Sequence, residues 1–387
     1  MTHDFDTPVS RAGTASLKYE GRQTYFGTDD VIPVWVADMD FSVPGAVTTA
    51  LIERAQHTVY GYTDYPESLY TSMQHWFKTR HDWEIDREHI VMCPGVVPSI
   101  YAAITALTEV GDKVIIQPPV YHPFFTAVTD TQRTLVENPL ILEGNHYRMD
   151  LVHLAQCAEA GAKVLVLCSP HNPVGRVWRR DELAALLAVA RRYGLIIISD
   201  EIHADLIFPG QNHIPIATLA NDVAIMTTVS PSKTFNIPGL GLSALVVNDK
   251  AQREAIQQVF NHWHVSNTNP FSICGFEAAY QHGEAWLNDL MVYLDDTRSA
   301  VQAYLDEALP EISLIESEGT YLLWLDCRAM NMSDAALHRF FIGQAKVAMS
   351  PGTLFGHVGS GFMRLNIAAP RALILTVLKR IRSALAT

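Results

Sequence analysis

Across residues 90–247, short runs of β-branched and aliphatic residues alternate with stretches of helical periodicity, and no feature of the 387-residue chain restricts its fold more. Such alternation predicts a mostly parallel sheet wrapped by helices. The spacing predicts strands over 90–93, 113–117, 163–168, 195–199, 223–229 and 242–247, with helices near 98–110, 150–160 and 181–193. Gly194 stands where a C-terminal glycine cap belongs.

Outside this block the pattern changes. Residues 1–43 read as irregular apart from the apolar island Val31-Ile32-Pro33-Val34-Trp35-Val36-Ala37-Asp38-Met39-Asp40-Phe41, with its paired acids. Helical periodicity over 44–56 and again up to Arg80 flanks the aromatic turn at Tyr60, Tyr62 and Tyr65. Beyond Asp249 come long helices over 249–263, 271–282 and 284–309, then strands over 321–326, 345–349 and 362–367 and a helix from Arg371. The expected organisation is therefore a large α/β domain over 45–283 and a smaller α/β domain built from 1–44 and 284–387, hinged at the long helix after Glu284.

Acidic residues outnumber basic ones by 41 to 28, a formal charge of −13, and there is no Lys/Arg-dense stretch. This argues against nucleic acid and anionic membranes as partners. The first residues carry neither a basic region nor an apolar run, so a cytoplasmic location is expected. Five widely spaced cysteines suit reduced thiols, and the sixteen histidines form no metal-ligand spacing, so no metal is expected.

Chemistry-bearing residues follow the predicted strand ends. Pro94-Gly95-Val96-Val97-Pro98 opens a helix after the first, and its free amides suit a phosphate. Tyr121 follows the second, Ser169-Pro170-His171-Asn172-Pro173-Val174-Gly175 the third, Asp200-Glu201-Ile202-His203 the fourth and Ser230-Pro231-Ser232-Lys233 the fifth. In an open α/β sheet these loops converge on one ligand site. A desolvated lysine at Lys233 condenses with a carbonyl cofactor, and serine hydroxyls beside it suit a phosphate. Asp200, at the mouth of a buried strand, needs a partner; a protonated pyridine nitrogen is one and a helix cap is the other. Arg364 alternates with apolar residues on a strand, and its anion is either a substrate carboxylate or the partner in a domain-stabilising ion pair.

Ser-x-Ser-Lys, Asn-Pro-x-Gly, Asp-Glu-x-x and Arg-Leu-Asn, in this order over most of the chain, resemble the fold-type I pyridoxal-phosphate enzymes of the class I/II aminotransferase superfamily. Within it, Val34 to Phe41, Gly95-Val96-Val97-Pro98, Tyr121-His122-Pro123-Phe124, Asp200-Glu201-Ile202-His203 and Ser232-Lys233-Thr234-Phe235-Asn236 resemble the MalY/PatB group of cystathionine β-lyases. The resemblance implies pyridoxal 5′-phosphate carried on Lys233, its ring nitrogen on Asp200, its ring under Tyr121 and its ring oxygen near Asn172 and His203. It implies the phosphate held by Val96, Val97, Ser230 and Ser232, with Tyr62 reaching the site of a neighbouring subunit in a homodimer. Ala37, Asn172 and Arg364 would bind the carboxylate of an amino-acid substrate. His203 stands where aminotransferases commonly place a tyrosine, and Gly241 where they often carry an arginine. The implied reaction is carbon–sulfur β-elimination. The alternatives are transamination to a 2-oxo acid and a regulatory protein that keeps the fold. The loops around Trp35 and 267–269 are expected at the substrate entrance.

Overall fold

The computed structural model describes residues 3–265 and 269–386, so Asn267 and Thr268 of the expected entrance loop lie outside the described residues. Seven strands build the main sheet: β1 (Ile90–Cys93), β2 (Lys113–Ile116), β3 (Thr134–Glu137), β4 (Ala162–Cys168), β5 (Ile196–Asp200), β6 (Ile225–Val229) and β7 (Ser243–Val247). Their order is β1-β7-β6-β5-β4-β2-β3. All neighbours run parallel except β7, which is antiparallel to both β1 and β6. The carboxyl ends of β1, β2, β4, β5 and β6 therefore open on the same edge, as the alternation predicts.

The near-continuous apolar runs follow from burial on both faces. Along β4, Val164, Val166 and Cys168 pack on one side, with Ile100 and Phe124, while Leu165 and Leu167 pack on the other, with Leu183 and Leu187. β3 is not among the expected strands: it is a partly exposed edge strand with polar residues at both ends, Thr134 and Glu137, which leaves an apolar run of only Leu135 and Val136. The helix expected over 98–110 runs instead over Val96–Leu107, because the chain turns helical directly after Gly95.

A second, antiparallel sheet holds β8 (Ser313–Leu314), β9 (Leu322–Asp326), β10 (Ser350–Pro351) and β11 (Phe362–Asn366) in the order β8-β9-β11-β10. The strand expected over 345–349 is shorter and lies elsewhere. Only Val347–Ala348 is extended, and it pairs with Ile32–Pro33 of the N-terminal segment, outside the four-stranded sheet. That segment also contains the short helices Leu17–Glu20 and Arg22–Phe26 where irregular chain was expected. Neither carries enough periodicity for a sequence signal; tertiary packing supports them. One apolar cluster links Met92 and Ala244 of the main sheet to Leu323 and Leu365 of the second, through Phe5, Phe41 and the helix Glu284–Ala308. Among the described residues, no helix is long and apolar enough to cross a membrane.

After the Ile32–Pro33 strand, residues 34–41 lie across the open edge of the main sheet as a strap. Two asparagines hold it. Asn236 accepts from the Met39 amide at 2.9 Å and donates to the Met39 and Phe41 carbonyls at 3.0 and 2.9 Å. Asn366, the last residue of β11, donates to the carbonyls of Val36 and Asp38 at 2.6 and 2.7 Å. Asn236 has φ +57°, a left-handed conformation that asparagine tolerates. Asn236→Ala is expected to lower unfolding free energy by about 2–4 kcal/mol, combining three lost hydrogen bonds with the left-handed penalty. Asn236→Gly should recover about 1 kcal/mol of this. Denaturant titration of both variants checks the split.

Candidate active site

A cavity of about 240 Å³ opens at the carboxyl edge of the main sheet, roofed by the strap at Ala37. Asp200 ends β5, in register with Cys168 of β4 and Thr228 of β6, and is 3% exposed. Its carboxylate accepts one hydrogen bond, from the Ile202 amide at 3.1 Å, and among the described residues no cation pairs with it. Burial pushes its carboxyl up to about 7; the Ile202 amide and Lys233 oppose this, and Glu201 adds to it.

Lys233 lies four residues beyond β6, and its Nζ donates to the Ala37 carbonyl at 2.6 Å. Burial and the Arg364 cation lower the amine to about 8, against the pull of Asp38 and Asp200. Tyr321 donates its hydroxyl to the same carbonyl at 3.0 Å. His203 is buried in the cavity wall, and its Nδ1 has no partner among the described residues. Burial, Lys233 and Arg364 push its imidazole down to about 3, so it is neutral at physiological pH.

The far end of the cavity is the first turn of the helix Val96–Leu107. The amides of Val96 and Val97 have no partner in their own helix, and Pro98 behind them has no N–H to offer. Ser232 lines the cavity with no hydrogen bond to its hydroxyl among the described residues. Ser230 also lines it, but its hydroxyl donates to the Leu242 carbonyl at 2.8 Å and accepts from the Ser232 amide at 3.1 Å, so its proton is committed. Gly241 closes this end with φ +58°, a left-handed conformation that would cost an arginine roughly 1–2 kcal/mol.

Tyr121 and Asn172 form another wall. Asn172 accepts through Oδ1 from Arg364 at 3.1 Å, which leaves its amide free to donate. Arg364 stands behind Asn172 rather than in the wall, donating to the Trp35 carbonyl at 2.8 Å and to the Ser350 hydroxyl at 3.3 Å. Among the described residues its Nε has no partner, although the residue is 6% exposed, and no carboxylate pairs with it. Tyr62 lies apart from all of these, fully exposed on a segment without regular structure. Tyr321, Cys168 and Ser350 were missed by sequence reasoning: Tyr321 reads only as the start of a strand and Cys168 as the end of one, and nothing in the sequence brings Ser350 near Arg364.

A buried carboxylate that pairs with no cation among the described residues, a depressed amine, two helix amides outside the helix's own bonding and a tyrosine beside one cavity match the needs of pyridoxal phosphate: a protonated ring nitrogen, an aldehyde, a phosphate and a flat ring. Residues 29–381 match the family of class I and II aminotransferases. The chain belongs to that family. Among family members, the Bacillus subtilis cystathionine beta-lyase PatB is 38% identical, over 99% of this chain and all of PatB. Protein MalY of Escherichia coli is 35% identical over 95% of both chains. In structure, the chain resembles cystalysin from Treponema denticola, which contains a pyridoxal 5′-phosphate cofactor, with a TM-score of 0.97 and 35% identity over 100% of this chain and 99% of that one. These family likenesses cover both sheets and the strap.

The two perturbed acids give opposite pH slopes in the cofactor-free protein. Asp200, raised from 3.8 to about 7, holds its proton in the fold, so stability falls as pH rises through that window. His203, lowered from 6.5 to about 3, stays neutral in the fold, so stability falls as pH drops below 6.5. Asp200→Asn removes only the first slope. The variant's stability relative to the parent should therefore grow by about 2–4 kcal/mol between pH 4.5 and 7.5, as read from thermal and urea unfolding of cofactor-free protein.

Proposed function

We propose that this chain is a pyridoxal-phosphate-dependent carbon–sulfur β-lyase that cleaves cystathionine or related cysteine S-conjugates to a thiol, pyruvate and ammonia. The observation that carries the cofactor assignment is the unpaired Asp200 carboxylate facing the same cavity as the Lys233 amine. Whole-length likeness to a relative named as a cystathionine beta-lyase supports elimination over transamination.

Lys233 would bear the cofactor through its amine, and Asp200 would pair with the ring nitrogen. Val96, Val97 and Ser232 would hold the phosphate, with Ser230 shaping the loop. Tyr121 would lie on the ring face, and Asn172 and His203 beside the ring oxygen. Arg364, with the Asn172 amide and the strap at Ala37, would receive the substrate carboxylate. When bound, pyridoxal phosphate supplies the electron sink for negative charge developing at the substrate Cα. An amine titrating near 8 is partly neutral at physiological pH, so Lys233 Nζ can take the proton from Cα. The Cβ–S bond then breaks with its electron pair going to sulfur, which takes up a proton, and the three-carbon fragment leaves as pyruvate and ammonia after hydrolysis. Asp200, ionised by a cationic partner, keeps that sink charged. The neutral His203 donates or accepts a hydrogen bond without adding charge.

The division into 45–283 and 1–44 with 284–387 follows the same logic: the first part supplies Asp200 and Lys233, and the second supplies the strap and Arg364. A homodimer follows from Tyr62, whose exposed ring, with Val59 and Tyr60 exposed beside it, suits a site across a two-fold interface.

Loaded protein incubated with L-cystathionine and no 2-oxo acid is expected to release thiol and pyruvate in equal amounts. Release of neither, with amino transfer to 2-oxoglutarate from an amino-acid panel, would instead establish the aminotransferase reaction. Lys233→Ala and Tyr62→Ala should each lose nearly all lyase turnover. After subunit exchange, an equal mixture should regain about a quarter of parental activity, because half the dimers carry one intact site; no recovery would exclude shared sites.

A further inference from the structure

The strap that meets Lys233 carries two carboxylates, and the N-terminal segment answers both. Arg11 donates to Asp38 through both terminal nitrogens, Nη1 to Oδ1 at 2.9 Å and Nη2 to Oδ2 at 2.7 Å, and Nη1 also reaches Asp40 at 3.0 Å. Lys18, fully buried, donates to Asp40 at 2.7 Å and lies 3.7 Å from Asp38. Tyr19 adds a hydroxyl to Asp40 at 3.1 Å. Two cations thus match two anions. The strap's backbone is held separately, by Asn236 and Asn366. The Arg11 pairing thus adds charge compensation to a strap whose backbone other residues anchor.

That charge matters because Asp38 follows Ala37, whose carbonyl takes the Lys233 amine. An unneutralised carboxylate there would hold Lys233 as an ammonium ion, useless as a base. The other groups facing Lys233 are the Arg364 cation, the Asp200 carboxylate, neutral His203 and the Tyr121 and Tyr321 phenols. None of these lies within reach of Arg11's hydrogen bonds.

We propose that Arg11 is a positioning residue for the active-site lysine: by pairing with Asp38 it offsets a strap charge that favours the protonated form of Lys233, so the N-terminal segment tunes the protonation state of the site. This rests on the reading of Lys233 as the cofactor-bearing base. Borohydride reduction of the loaded protein and peptide mapping tests that reading independently, since label on another lysine would sink it and leave the titration below unaffected.

The test is the titration of Lys233 in the full chain after cofactor removal, by competitive acetic anhydride labelling and mass spectrometry, with circular dichroism confirming the fold. The pH midpoint of the visible absorbance of loaded protein serves as a second readout. Arg11→Gln should raise the Lys233 midpoint by about 0.5–1 unit and Asp38→Asn should lower it by a similar amount, as expected for one charge at this range. Arg11→Lys should restore most of the parental value. In the Asp38→Asn background, Arg11→Gln should move the midpoint by less than half as much. An unmoved midpoint in folded Arg11→Gln protein, or an equal shift in both backgrounds, would overturn the proposal. If Arg11→Gln does not fold, Asp38→Asn decides: a fall of about half a unit supports the proposal, and an unchanged midpoint refutes it.

Discussion

Burial of one carboxylate organises this molecule. Asp200 ends the central strand of a sheet whose residues are apolar on both faces, and among the described residues it has one backbone amide as a hydrogen-bond donor and no ion-paired cation, with Lys233 only partly offsetting its charge. An ionised carboxylate so placed costs several kcal/mol unless a positive partner arrives. The fold therefore holds a site whose electrostatics are complete only with a cationic ligand. Lys233 shows the reverse perturbation, an amine kept below its ordinary value by burial and by Arg364. Two groups pushed toward neutrality from opposite sides are what proton transfer near pH 7 requires.

The strap completes this arrangement. Residues 34–41 come from the N-terminal end of the chain; Lys233, from the loop after β6, and Tyr321, just before β9, meet at the Ala37 carbonyl, while Asn236 and Asn366 hold the carbonyls on either side of it. The Arg11–Asp38–Lys18–Asp40 cluster lies behind it. The second sheet is thus more than a cover: its residues fix the groups that face the amine. Arg364 joins the same set by donating to the Trp35 carbonyl of the strap and to Asn172 of the main sheet's loops.

Much of the main sheet was legible. Runs buried on both faces must be apolar, and the helices between them keep their own period, so β1, β2, β4, β5, β6 and β7 stand out in the sequence. The edge strand β3 did not, since a half-exposed strand carries polar residues, and the 345–349 run was misassigned because two extended residues bonded to Ile32–Pro33 look like a longer strand in isolation. In the cavity, Lys233, Asp200, Asn172 and Tyr121 could be located because each follows a strand end. Tyr321 and Arg11 could not, since their importance comes from hydrogen bonds to residues 284 and 27 positions away.

By itself the sequence determined the parallel sheet, the edge at which its loops open and the residue types available there, because local periodicity and the direction of parallel strands dictate all three. The tertiary structure alone decided which of those groups stay unpaired. Whether Asp200 meets a cation, whether Ser230 has a proton to give, and whether Asp38 is neutralised depend on contacts between segments far apart in the chain, and desolvation acts only once those segments have packed.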